Sequence, residues 1–221
     1  MVFLALEAVI FDFDGVLVDT PAYYFKHMRS YLRERNALVS DEDVSHLIGH
    51  TFAKKIEYLK EKYGLQIDRD HFVKITSEAM KAEMVPGLIL DPELGKLLRE
   101  LKSHSVPLAV ASNNNFKNID FFLKKLGLEG YFSQIIAIES VTSPKPSPET
   151  YLRAIDALEV RPENSIAIED TVIGVQSAKG ANLRAIAIPN KFSSLHDFSM
   201  ADHVISGFSE LSLKKLRGLV K

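Results

Sequence analysis

Five short apolar runs recur along the chain: Ala8–Phe11, Val106–Ala111, Ile135–Ile138, Ser165–Ile168 and Arg184–Ile188. No other pattern in the sequence limits the fold so tightly. The runs are continuously apolar rather than alternating, as strands are when both faces of a parallel sheet are covered. Helical patterns lie between them. Pro92–Lys102 sets Leu94, Leu97, Leu98 and Leu101 on one stripe, and Asn118–Leu126 does the same with Ile119, Phe122, Leu123 and Leu126. Strands alternating with helices predict an α/β fold, a doubly wound, Rossmann-like parallel sheet.

One stretch breaks this rhythm. From about Thr20 to Val85 there is no buried-strand run, only amphipathic helical segments. Ile56, Leu59 and Tyr63 share a face, with Lys54, Lys55, Lys60, Glu61 and Lys62 expected to solvate the other. Phe72, Ile75 and Ala79 repeat the idea, and Pro86-Gly87 punctuates its end. The expected organisation is a core from 1–19 and 88–221, with 20–87 as an inserted α-helical cap flanked by hinges. Phe208–Leu219 reads as a closing helix.

Composition narrows the function classes. Over 221 residues, 46% are hydrophobic and 25% charged, which excludes a disordered chain. Lys+Arg 27 against Asp+Glu 29 gives a net charge of −2, so the basic excess of a nucleic-acid binder is missing. With Cys 0, disulfides, thiolate metal sites and cysteine nucleophiles are out. No apolar run approaches the roughly 20 residues of a membrane helix. The N-terminal MVFLALEAVIF lacks a basic segment and is interrupted by Glu7, so it does not read as a signal peptide. The expectation is a soluble cytoplasmic protein, without nucleic-acid or membrane partners, as a monomer or weak homodimer.

Polar residues gather where the apolar runs end. The first run leads into Phe11-Asp12-Phe13-Asp14-Gly15-Val16. Carboxylates two apart on an extended chain share a side, and at the carboxyl end of a parallel strand they stand where open α/β sheets bind ligands. Two close carboxylates repel, inviting a cation or a shared proton; a simple turn is the other reading. The second run ends in Ser112-Asn113, a hydroxyl and amide suited to a phosphate or to a helix cap. Lys145 stands in Ser143-Pro144-Lys145-Pro146-Ser147-Pro148, where the prolines stiffen the backbone and let its ammonium be aimed. The fourth run ends in Glu169-Asp170, and oxygen donors without nearby His or Cys favour Mg²⁺ over zinc.

Taken together and in order, Phe11–Val16, Ser112, Lys145 and Glu169-Asp170 resemble the four motifs of the haloacid dehalogenase superfamily. The helical insertion resembles the cap of the branch containing β-phosphoglucomutase and phosphoglycolate phosphatase. The resemblance implies Mg²⁺-dependent phosphoryl transfer from a small phosphorylated metabolite through an aspartyl phosphate. It implies Asp12 as nucleophile, Asp14 as general acid and base, and Ser112, Asn113 and Lys145 around the phosphoryl group. Asp12, Asp14 (through its carbonyl), Glu169 and Asp170 are its implied metal ligands. An acid at position 14 sets dehalogenation aside.

Two departures from the mutase pattern favour plain hydrolysis. Tyr24 stands where the β-phosphoglucomutase relatives carry a histidine, and His50-Thr51-Phe52-Ala53-Lys54 lacks their arginine, with Lys54 as a possible substitute. His27, His46, His50, Tyr23, Tyr24 and Phe25 read either as substrate contacts or as ordinary surface and core residues. Hydrolysis of a sugar phosphate or phosphoglycolate is the leading expectation. The alternatives are a phosphomutase and a non-enzymatic phosphate-binding or aspartyl-phosphate switch.

Overall fold

The computed structural model describes residues 6–220; residues 1–5 of the apolar N-terminal stretch lie outside it. After β1 (Ala8–Phe11) come α1 (Thr20–Arg33), α2 (Asp41–Leu47), α3 (Phe52–Tyr63) and α4 (Arg69–Met84). The chain continues through α5 (Pro92–Ser103), β2 (Leu108–Ala111), α6 (Phe116–Lys125), β3 (Gln134–Ile136), α7 (Glu149–Leu158) and β4 (Ser165–Glu169). It ends with α8 (Val172–Gly180), β5 (Arg184–Ala187), β6 (His203–Val204) and α9 (Leu213–Leu219). The strands form one sheet in the order β3-β2-β1-β4-β5-β6, with every neighbouring pair parallel. No helix among the described residues is long and apolar enough to cross a membrane.

Strand composition explains how the sheet is covered. Large residues (Val9, Phe11, Leu108, Val110, Ile166, Ile168) face one buried layer with Leu94, Leu98, Ile119, Phe122 and Leu216 of α5, α6 and α9. Mostly small residues (Ile10, Ala109, Ala111, Ala167, Ala185, Ala187) face the other, where α7 and α8 bring Tyr151, Ala154, Val175 and Ala178. Successive strand side chains point to opposite faces, so helices seat on both sides, as doubly wound topology requires.

Three local readings are corrected. Ile138 belongs to a 3-10 turn over Ile138–Ser140, not to a strand, because β3 stops at Ile136. The strand read from Val106 starts only at Leu108, after Pro107, which has no N–H for the ladder. Phe208–Leu219 is not one helix: a 3-10 turn over Phe208–Glu210 gives way to extended Leu211, and the Ser212 side chain then caps α9 by accepting from the Lys215 N–H. The β6 pairing was not anticipated.

Between β1 and β2, one carboxylate ties two helices together. Asp43 is fully buried in the first turn of α2 and closes a capping box with Ser40. It also accepts from Tyr58, Lys62 and Tyr63 of α3, the last at 2.6 Å. Burial pushes its carboxyl up, but these donors outweigh burial and hold it well below the usual carboxylate range.

Candidate active site

The carboxyl ends of β1, β2 and β4 lie side by side, since Phe11 pairs with Val110 on one flank and Ile168 on the other. Residues that leave these ends therefore meet. Asp12 follows β1 and is anchored by its N–H to the Ile168 carbonyl at 2.9 Å. At Gly15 the backbone takes φ +88°, and a Cβ there would lie 2.0 Å from Asp170 Oδ2. Only glycine lets the turn after β1 come this close to the end of β4.

Lys145 is the hub. Its side chain is 3% exposed, and Nζ donates to Asp12 Oδ1 at 2.6 Å, to the Ala111 carbonyl at 2.7 Å and to Glu169 Oε1. The Tyr151 hydroxyl donates to the same Glu169 oxygen at 2.7 Å. Burial pulls the lysine down, but Asp12 and Glu169 outweigh it and hold the ammonium above its ordinary value. Burial raises the Asp12 carboxyl, which Lys145 opposes and the charges of Glu169 and Asp14 reinforce. Asp170 is likewise raised by burial and by Asp12 and Glu169.

One lysine does not balance this much buried negative charge. Asp12, Glu169 and Asp170 each offer an oxygen within 4.8 Å of the others'. Asp170 Oδ2 accepts from Asn190 at 2.6 Å, yet its buried Oδ1 has no partner among the described residues. An orphaned carboxylate oxygen among all-oxygen donors suits a hard divalent cation, whose charge would offset the crowding. The residues present fit such an ion.

Around these groups lies a pocket lined by Asp12, Asp14, Ser112, Asn113, Lys145 and Asp170, among others. Ser112 is buried, and its hydroxyl accepts from the Asn114 N–H at 3.1 Å. The Asn113 side chain bridges loops instead: it donates to the Gly49 and Lys145 carbonyls and accepts from the Lys145 N–H at 2.9 Å. Asp14 accepts from Thr20 and, at 3.1 and 3.0 Å, from Asn114.

A model of the haloacid dehalogenase-like hydrolases matches residues 9–188. The chain belongs to that family. A phosphorylated carbohydrates phosphatase of Thermotoga maritima is 30% identical over 82% of this chain and 84% of that protein. A β-phosphoglucomutase of Bacillus subtilis is 29% identical over 96% and 94%. A crystal structure of CbbY from Rhodobacter sphaeroides in complex with xylulose 1,5-bisphosphate superposes with a TM-score of 0.83 at 26% identity, over 93% of this chain and 96% of that one.

For this haloacid dehalogenase-like hydrolase, the structure brings all seven residues singled out from sequence into one cluster, with Glu169 packed under Lys145 rather than lining the pocket. Tyr24, Phe25, Phe52, Lys55 and Met80, from α1, α3 and α4 between β1 and β2, line the same pocket. Lys55, expected on the solvated face, is the lysine that enters, whereas Lys54 is exposed. Its ammonium lies 4.6 Å from the Tyr24 ring and 5.5 Å from those of Phe25 and Phe52. Burial lowers it to about 8 against the pull of Asp14 and Asp170. Of the histidines, His50 lines the pocket, while His27 faces Glu83 and His46 stacks on Tyr58. Thr20, Asn114 and Asn190 were missed. Thr20 and Asn114 follow the Asp-x-Asp and Ser motifs closely enough for proximity to have flagged them, but nothing in sequence marks Asn190.

Proposed function

We propose that this protein hydrolyses small phosphate monoesters of the sugar-phosphate kind, with Mg²⁺ as its cation. The observation that carries the reading is the Asp12 carboxylate, neutralised on one oxygen by buried Lys145 and standing beside the partnerless Asp170 oxygen. Phosphoryl transfer needs positioning and charge stabilisation more than covalent complexity, and this cluster supplies both.

Asp12 attacks phosphorus through the oxygen Lys145 leaves free; the bond to the leaving oxygen breaks, and Asp14 gives that oxygen its proton. Asp14 then takes a proton from the water that attacks the aspartyl phosphate, releasing phosphate and restoring Asp12. Lys145 and Ser112 hold phosphoryl oxygens, while Asn113 fixes the loop that presents Lys145. Asp12, Asp170 and the Asp14 carbonyl hold the metal, with Glu169 completing its surroundings and orienting Lys145. When bound, Mg²⁺ neutralises phosphoryl charge and aligns the ester with Asp12.

Residues 20–87 act in this reading as a cap over the core formed by 1–19 and 88–221. The sugar-phosphate assignment draws on relatives named for phosphorylated carbohydrates and β-phosphoglucomutase. Hydrolysis is favoured over mutase chemistry because Tyr24 is a buried phenol that burial keeps protonated, a poor stand-in for an imidazole. The test is phosphate release from p-nitrophenyl phosphate and a sugar-phosphate panel, with Mg²⁺ or EDTA, for wild type and Asp12→Asn. Release that requires Mg²⁺ and is lost in the variant supports the reading. Conversion of β-glucose 1-phosphate to glucose 6-phosphate without free phosphate sinks it.

A further inference from the structure

Besides Thr20, the hydrogen-bond donor on Asp14 is Asn114, and from it a directed path leads away from Asp14. Asn114 Nδ2 donates to both Asp14 oxygens, at 3.1 and 3.0 Å. Its own Oδ1 accepts from the Asn115 N–H at 2.8 Å and from Asn118 Nδ2 at 3.2 Å. Asn118 Oδ1 in turn accepts from Lys81 Nζ at 2.6 Å. An ammonium can only donate, so Asn118 must turn its oxygen to Lys81 and its amide nitrogen to Asn114. Reversing either amide would set donor against donor. The order Lys81, Asn118, Asn114, Asp14 is therefore fixed by chemistry as well as by distance.

The two ends of this path belong to different parts of the chain. Lys81 lies on α4, in the helical insertion between β1 and β2, and Asn114 and Asn118 follow β2. Helix capping does not account for Asn118, because Asn115 already caps α6 by accepting from the Asn118 N–H at 2.9 Å. Nor is Lys81 an ordinary surface lysine. Its side chain is partly buried and its ammonium lies 4.7 Å from the centre of the Phe121 ring. Holding a long side chain this way costs rotamer freedom.

We propose that Lys81, Asn118 and Asn114 are positioning residues through which helix α4 sets the Asp14 carboxylate. With α4 in place, Asn114 is locked with its amide toward Asp14. With Lys81 withdrawn, Asn118 is free to turn its oxygen toward Asn114 Oδ1, and the repulsion of the two oxygens pulls Asn114 off Asp14, which is then held by Thr20 alone. The inference rests on the reading of Asp14 as the acid that protonates the leaving oxygen.

The test compares two leaving groups. p-Nitrophenolate departs without a proton, whereas the alkoxide of glucose 6-phosphate needs one, and kcat/KM reports on this first bond cleavage. Asp14→Asn calibrates the assay by lowering kcat/KM for glucose 6-phosphate far more than for p-nitrophenyl phosphate. Lys81→Met and Asn118→Ser are each expected to lower the glucose 6-phosphate value by about 10-fold or more while changing the nitrophenyl value less than about 2-fold. Lys81→Arg should retain most of the activity. The Lys81→Met/Asn118→Ser double variant should be no worse than the poorer single, because both break one path. Parallel losses on both substrates, or no loss on either, overturn the relay if Asp14→Asn discriminates. An Asp14→Asn variant that does not discriminate refutes the acid assignment instead.

Discussion

Replacing Lys145 with methionine keeps most of the side chain's bulk and removes its charge. In the structure this leaves Asp12 and Glu169 facing each other without the ammonium, with Glu169 fully buried and Asp12 nearly so. Breaking one partner of a buried ion pair costs about 3–5 kcal/mol, and for a chain of this size each kcal/mol lowers Tm by about 2–4 °C. Lys145→Met should thus melt roughly 6–20 °C below wild type in EDTA at neutral pH. The loss should itself depend on pH. Burial already raises the Asp12 carboxyl, and removing the opposing lysine raises it further. A carboxyl with a folded pKa above its unfolded value binds extra protons when folded, so it costs stability as pH rises. The gap between variant and wild type should therefore be smallest near pH ~4 and widen above it. Millimolar Mg²⁺ should raise the variant's Tm more than the wild type's, since the cation supplies charge the lysine no longer does. Calorimetry over pH 4–8, with and without Mg²⁺, measures both effects. A variant as stable as wild type, with a gap that ignores both pH and Mg²⁺, would show that Lys145 is not what balances these carboxylates.

Gly15→Ala forces a side chain into φ +88° and sets its Cβ against Asp170; the backbone alone costs about 1–2 kcal/mol, and Mg²⁺ affinity by titration calorimetry should fall with it. Asp43→Asn should lose about 3 kcal/mol in urea denaturation at pH 7. Because the Asp43 carboxyl is held low in the folded protein, wild type loses this advantage as pH falls through the acid range, and the two proteins should converge there. Lys55 titrates at about 8, so if its ammonium holds substrate, KM should rise above that pH. Lys55→Met should show a raised KM that no longer varies there, and an unchanged KM would remove Lys55 from the binding wall.

The sheet centre was legible because burial on both faces leaves an unbroken apolar run, and β1 was read to the residue. The carboxylates were legible because they interrupt such runs at their ends. Lys55 was not, because a lysine among lysines on an amphipathic helix looks solvated, and only the neighbouring rings of Tyr24 and Phe25 reveal the buried face. Asn114 read as one of several loop amides; its role depends on Asp14, which is 100 positions away in the chain. β6 is two exposed residues at the sheet edge, so it carries no apolar signal and exists only through pairing with β5. Ser212 was overlooked as a cap, which merged two elements into one expected helix.

Lys145 reaches across 133 positions to Asp12 and 24 to Glu169, joining strand ends that only the finished sheet brings together. No local stretch of the chain contains even half of this cluster. Phosphate release should therefore return on refolding in step with the last-formed strand pairing, not with early helix content. Its recovery would time the assembly of the sheet's centre more directly than circular dichroism, and a chain truncated before β4 should be inert however much helix it retains.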